Sequence, residues 1–258
     1  MIDAPPLYPE QFVLALLFAS LRTGAALALL PALGGTLIPV RIRVGLAGCI
    51  GFLVMGTASP PQPPDDLLSF AGFAAIAGEL LIGAVAALAL HAAFAVATIA
   101  GDWLAQSMGL GFATMVDPGA PPVPVLSGLF ALLMWSLFLS AGGHLLLFQL
   151  IVESYRAMPG AGALFEPGRL MLIVQWGGFA IASGLIAALP LGAALLLVNI
   201  GLAVAARSAP QLNLFSIGFP LMLLVGLAGL PLALPGLADS LSAALAHMQT
   251  SAAEVLLG

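Results

Sequence analysis

The chain has 258 residues, of which 6 are basic and 11 acidic, while hydrophobic residues make up 62% at a mean hydropathy of +1.17. A charged share of 7%, against roughly 25% in a typical globular protein, cannot build a water-soluble surface, so most of the surface must face lipid or protein. The basic residues are six scattered arginines with no lysine, which excludes the clustered cationic face that nucleic acid needs.

The single cysteine, Cys49, excludes an internal disulfide and a multi-cysteine zinc site. Lying in an apolar run, it is expected to pack as a small hydrophobe. Backbone in lipid must be satisfied within its own segment. The predicted fold class is therefore all-α: a polytopic membrane helical protein with long kinked helices and helical hairpins and no β-sheet, holding at least six long apolar helices.

Met1 to Gln11 carry Asp3 and Glu10 and no base, which does not fit a cleaved signal peptide. A first helix is predicted from Phe12 to about Leu33, interrupted by Arg22, and a second from about Val44 to Met55. The connection between them holds Arg41 and Arg43. The positive-inside rule puts that connection in the cytoplasm, the N-terminus outside, and the acidic, proline-rich stretch Ser59 to Asp66 in an outer loop.

A third helix, about Leu67 to Met108, contains Glu79, His91 and Asp102. Its length of about 60 Å is twice the hydrocarbon thickness, so it must tilt, kink or leave the bilayer. Asp117 to Pro124 has too many prolines for helix. Pro118 to Val152 is free of charge and should hold a fourth helix, with His144 following Gly142 and Gly143.

A mixed loop with Glu153, Arg156, Glu166 and Arg169 follows. The uncharged stretch 170–206, interrupted by Pro190, reads as one kinked helix or two shorter ones. Beyond Arg207, Pro220, Pro231 and Pro235 should limit helix length, and Asp239 to Gly258 reads as a separate Ala-rich, mildly amphipathic helix. The glycines at 45, 48 and 51 suit close helix contacts.

Ionisable side chains inside membrane segments cost about 2.5 to 3.5 kcal/mol each on insertion scales. Arg22, Glu79, His91, Asp102 and His144 are therefore the candidate intramembrane polar residues. A proton relay along the third helix is poorly supported: His91 and Asp102 are within about 20° in register but roughly 16 Å apart along the axis, and Glu79 lies about 120° from His91. Packing or subunit contacts are the expected roles of these side chains.

The three histidines, His91, His144 and His247, are too far apart in sequence for a helical metal motif. The nearest approach to a nucleophile elbow, Leu214 to Gly218 around Ser216, lacks its first glycine. No phosphate loop occurs. Neither catalytic nor metal residues are expected, nor any cofactor. A solute transporter would show paired halves with matching broken helices, and no such repeat is visible.

Three segments carry a resemblance: Gln106-Ser-Met-Gly-Leu-Gly-Phe-Ala-Thr-Met-Val-Asp-Pro118 with Pro124-Val-Leu-Ser127; Gly143-His-Leu-Leu-Leu-Phe-Gln-Leu-Ile-Val-Glu-Ser-Tyr-Arg156 with Pro159; and Arg207-Ser-Ala-Pro-Gln-Leu-Asn-Leu-Phe-Ser-Ile-Gly-Phe-Pro220. With Arg22, Pro31, Pro39 and Arg41 they resemble, over nearly the whole chain, the FliR family of flagellar export proteins and its virulence-associated T-component counterpart.

The resemblance implies a non-enzymatic export gate in the bacterial inner membrane, at the flagellar basal body. P-type and Q-type membrane proteins (FliP, FliQ) and a FlhB-type switch protein are its implied partners, and unfolded proteins its substrates. Alternatives are the equivalent injectisome subunit, a small-solute or ion transporter and a membrane scaffold. The resemblance also implies a P-like portion, about 1–185, fused to a Q-like helical hairpin, about 186–258.

In the family a loop at the position of Gly109 to Pro124 occupies the central pore. Gly109, Gly111, Phe112, Met115, Val116, Asp117 and Pro118 are accordingly expected to form a pore plug, with a surface loop as the alternative. Arg207, Pro210, Gln211, Asn213, Phe215 and Phe219 are expected at a subunit contact, where Pro210 suits a first helical turn and the two phenylalanines share a face.

Overall fold

The computed structural model describes residues 9–31, 38–57, 63–64, 69–110, 125–208 and 214–258. Among these there are seven α-helices and no strand: α1 (Pro9–Leu29), α2 (Val40–Thr57), α3 (Phe70–Ser107), α4 (Val125–Ser140), α5 (Gly143–Ala157), α6 (Pro167–Ser208) and α7 (Leu214–Leu257), with a 3-10 turn at Ala161–Phe165. Four helices are long and apolar enough to cross a membrane: α1, α3, α6 and α7. Counting α4 with α5 as one broken span makes five.

Helix ends follow local chemistry. Proline opens α1 and α6, where its missing N–H costs nothing. Gly109, at φ 79°, stops α3: Gly109 N–H donates to the Gln106 carbonyl (3.0 Å) and Leu110 N–H to the Ala105 carbonyl (2.9 Å), the paired bonds of a Schellman cap. Gly142, at φ 68°, separates α4 from α5.

Several expectations are corrected. The fourth helix is two, because a left-handed glycine interrupts it, and Glu153 and Arg156 lie inside α5 rather than in a loop. Arg41 and Arg43 lie in the first turn of α2 and not in the connection before it. One helix, α6, runs through Pro190, and α7 runs through Pro220, Pro231 and Pro235 into the tail expected to be separate. A proline deletes one hydrogen bond and crowds the carbonyl four residues back, but where no water competes for the freed groups the remaining bonds of a long helix hold it together.

The chain forms two compact units: residues 1–91, 142–176 and 247–258 in one, 92–141 and 177–246 in the other. Helices α3, α6 and α7 contribute residues to both.

In the first unit α1 and α2 form an antiparallel hairpin, with Gly51 packed on Ser20 and Gly24 on Ala47. Gly45 and Gly48 face open space, so only Gly51 of that series makes the expected close contact. Cys49 is exposed, contrary to its expected packing, because α2 turns Ala47, Gly51 and Val54 inward and 49 lies on the opposite side. The start of α6 meets the end of α7 through Trp176 Nε1, which donates to Ser251 Oγ (2.8 Å), and Arg169 Nη1, which donates to the Val255 carbonyl (2.6 Å).

The second unit is held by α3, α4, α6 and α7. Phe94, Trp135 and Phe138 pack with ring centroids 4.7 to 6.3 Å apart, in the tilted and edge-on arrangements aromatic rings favour. A methyl on Gly101 would overlap the backbone of Leu126 and Ser127, and one on Gly192 would overlap the Trp103 ring.

Candidate functional site

The buried polar groups concentrate at one place in the first unit. Arg22, in the middle of α1, is 1% exposed, and Glu79 on α3 is 2% exposed. An apolar helix face would exclude either alone. Gly83, one turn beyond Glu79, lets the helices touch: a methyl there would collide with the Arg22 carbonyl oxygen. At that separation the guanidinium meets the carboxylate edge to edge, Nε to Oε2 at 2.9 Å and Nη2 to Oε1 at 3.0 Å. This bidentate fork is the geometry in which the pair is strongest.

The remaining donors reach the end of α5. Nη1 donates to Ser154 Oγ (2.9 Å) and Nη2 to the Met158 carbonyl (2.9 Å). The Tyr155 ring lies under the guanidinium, 4.2 Å from Cζ, and its hydroxyl donates to the Ala19 carbonyl at 2.5 Å. Ser154 Oγ in turn donates to the Ile151 carbonyl at 2.7 Å. One side chain thus ties α1, α3 and α5 together. The charges neutralise each other, and four of the guanidinium N–H groups have acceptors. The cluster is a structural clamp.

The structure brings Arg22 and Glu79 together and leaves the other polar candidates apart. The exposed His91 contacts, through Nε2, the Leu29 carbonyl at the end of α1. Asp102 is exposed in the second unit, and His144, half-buried, begins α5. Ser154 and Tyr155 were not singled out from sequence, although both stand in the Glu153-Ser-Tyr-Arg156 motif. An aromatic beside a serine in an apolar helix was the available signal.

Of the expected plug, only Gly109 lies within the described residues; Gly111, Phe112, Met115, Val116, Asp117 and Pro118 lie outside them. Arg207 is exposed in the last turn of α6 and Phe219 is exposed on α7; the Phe215 side chain, Pro210, Gln211 and Asn213 lie outside the described residues. No group of three or more potential metal ligands occurs among the described residues.

The sequence matches the family described as bacterial export proteins, family 1, over residues 13–248. It is 36% identical over 211 residues to the flagellar biosynthetic protein FliR of Escherichia coli (strain K12), covering 81% of this chain and 79% of that one. To the FliR proteins of Aquifex aeolicus (strain VF5) and Bacillus subtilis (strain 168) it is 34% identical over 229 residues and 30% over 223, with 88% and 82% of this chain covered and 87% and 82% of theirs.

Proposed function

The chain belongs to family 1 of the bacterial export proteins, and from that premise we propose that it is a core subunit of the gate through which unfolded flagellar proteins leave the cytoplasm. It is a membrane component of the flagellar export apparatus, and the names of its relatives favour the flagellum over an injectisome. In this reading it sits in the inner membrane and assembles with P-type and Q-type proteins (FliP and FliQ) and with a FlhB-type switch protein. It works as a structural part rather than an enzyme.

Helix length is the observation that carries the reading. The 38, 42 and 44 residues of α3, α6 and α7 extend about 57, 63 and 66 Å at 1.5 Å per residue, against about 30 Å of hydrocarbon. Large apolar side chains are exposed along α6 from Leu170 to Val204. Lipid cannot cover such a length, and water cannot favourably solvate what lipid leaves bare, so neighbouring protein helices are required. The antiparallel pairing of α6 with α7, Gly229 against Leu191 in the second unit, supports a hairpin portion like a Q-type protein, with the boundary near 186 falling inside α6.

The segment Gly109 to Pro124 is proposed as the pore plug, and Arg207, Pro210, Gln211, Asn213, Phe215 and Phe219 as a subunit contact. The test is co-purification from a strain expressing the P-type and Q-type proteins. The chain should bring both down, and the triple variant Arg207→Ala, Gln211→Ala, Asn213→Ala should lose them. Purification alone with measurable solute uptake would favour a transporter instead. Retention of both partners by the triple variant would remove the contact assignment and leave the gate reading standing.

A further inference from the structure

In the second unit the last turns of α3 lie on glycines of α6 and α7. A methyl on Gly184 would stand 2.9 Å from the Ile99 Cβ and 3.0 Å from the Val96 carbonyl oxygen, and one on Gly192 would overlap the Trp103 ring. Backbone, a branched Cβ and an aromatic ring give way poorly, so these two contacts pin α3 to α6. The third contact is of another kind. Met108, 1% exposed, seats its thioether on Gly226 of α7, where a methyl would lie 2.6 Å from Cγ and Sδ. Methionine is unbranched, with three rotatable bonds, and can leave such a seat by rotating.

Between the Trp103 pin and the Met108 seat, α3 carries a weak point and has space beside it. Ser107 Oγ donates to the Trp103 carbonyl four residues back (2.8 Å), a bond that competes with the helix ladder and often bends it. A partly open cavity of about 250 Å³ adjoins this turn, lined by Trp103, Ser107, Leu195, Asn199 and Met222. Met222 stands one turn from Gly226 on α7. The cap bonds from Gly109 N–H and Leu110 N–H keep the turn itself closed, so it can move as a unit.

We propose that Met108 and Gly226 form a two-position catch for the end of α3. Seated, the catch holds the last turn in register against α7; released, the turn pivots at Trp103 and the methionine takes the cavity beside Met222. Packed contacts of this kind switch between discrete arrangements rather than deforming continuously. The pins at Ile99 and Trp103 confine the movement to the residues beyond them. The catch stands on packing, and its effect on the pore rests on the gate reading, in which the chain beyond Gly109 closes the channel.

Hydrogen exchange of the full-length protein in detergent reads the catch through the amides of Met108, Gly109 and Leu110, which donate to the carbonyls of Leu104, Gln106 and Ala105. Gly226→Ala crowds the seat against a flexible side chain rather than against backbone, so the fold should survive. Exchange at residues 108–110 should become severalfold faster while residues 96–103 keep their protection. Adding Ser107→Leu, which removes the bending bond and fills the cavity, should restore the protection at 108–110.

In the complex assembled with P-type and Q-type proteins, Gly226→Ala should raise ion leak at equal recovery of partners, and Ser107→Leu in the same background should lower it again. Unchanged exchange at 108–110 in Gly226→Ala, or a uniform loosening of residues 96–110, would make Met108 an ordinary core side chain and overturn the proposal. Local loosening with an unchanged leak would uphold the catch and count against the plug assignment instead.

Discussion

Arg22 costs more to strip of its partner than to remove together with it. With Glu79 at 2.9 and 3.0 Å and both side chains almost fully buried, Glu79→Gln leaves an uncompensated guanidinium in an apolar surround. Breaking such a pair from one side typically costs roughly 3 to 5 kcal/mol, whereas replacing both members with apolar groups of similar volume is often neutral. Glu79→Gln and Arg22→Met should therefore lower the melting temperature and the yield of folded protein in detergent, and the double variant Arg22→Met, Glu79→Leu should recover most of the loss. A double variant as unstable as the singles would show that the charges, and not their mutual neutralisation, hold the clamp. The same substitutions should weaken assembly before they alter any pH dependence of export, since no water-facing proton acceptor is left in the cluster.

Among the elements, α3 makes its close backbone approaches to α1 and α4 at two glycines. Gly83 admits the backbone of α1 in the first unit, and Gly101 admits that of α4 in the second, where an added methyl would lie 2.5 Å from the Ser127 Cα. Backbone cannot swing aside as a flexible side chain can. Gly101→Ala should thus cost about 1 to 3 kcal/mol, the range for overpacking, while Gly177→Ala in α6, where nothing lies within 4 Å, should be neutral or stabilise by up to about 1 kcal/mol from helix propensity. Thermal unfolding of the two variants in one detergent checks the contrast, and equal effects would remove packing as its cause. The glycines look alike in sequence, because what separates them is the neighbour each one meets.

For the whole molecule, the proposal with the widest consequence is a gate closed by apolar bulk without a chemical lock. Gly109 ends α3 in a left-handed turn and releases the chain into Leu110 and beyond. Phe112, Met115 and Val116 follow, and apolar side chains meeting in a narrow pore exclude water by dewetting. Deleting Ala113 to Pro122 in an assembled complex should make the membrane leak ions or small solutes, read as dye or ion flux, with secretion retained or deregulated. A shortened protein that assembles normally in a membrane as tight as before would make the segment an ordinary surface loop.

Membrane class, all-helical architecture and the overlong α3 were legible in the sequence, because each depends on composition and local hydropathy along one segment. The end of α3 was nearly so, since a glycine after an apolar run is a local signal. What pairs with Glu79 was not: its partner stands 57 residues away on another helix, and helical periodicity says which face a residue occupies but not which helix meets that face. The same limit hid Tyr155 under Arg22 and the outward position of Cys49. In each of these the decision belongs to a neighbouring surface, and a neighbouring surface exists only once the helices have packed.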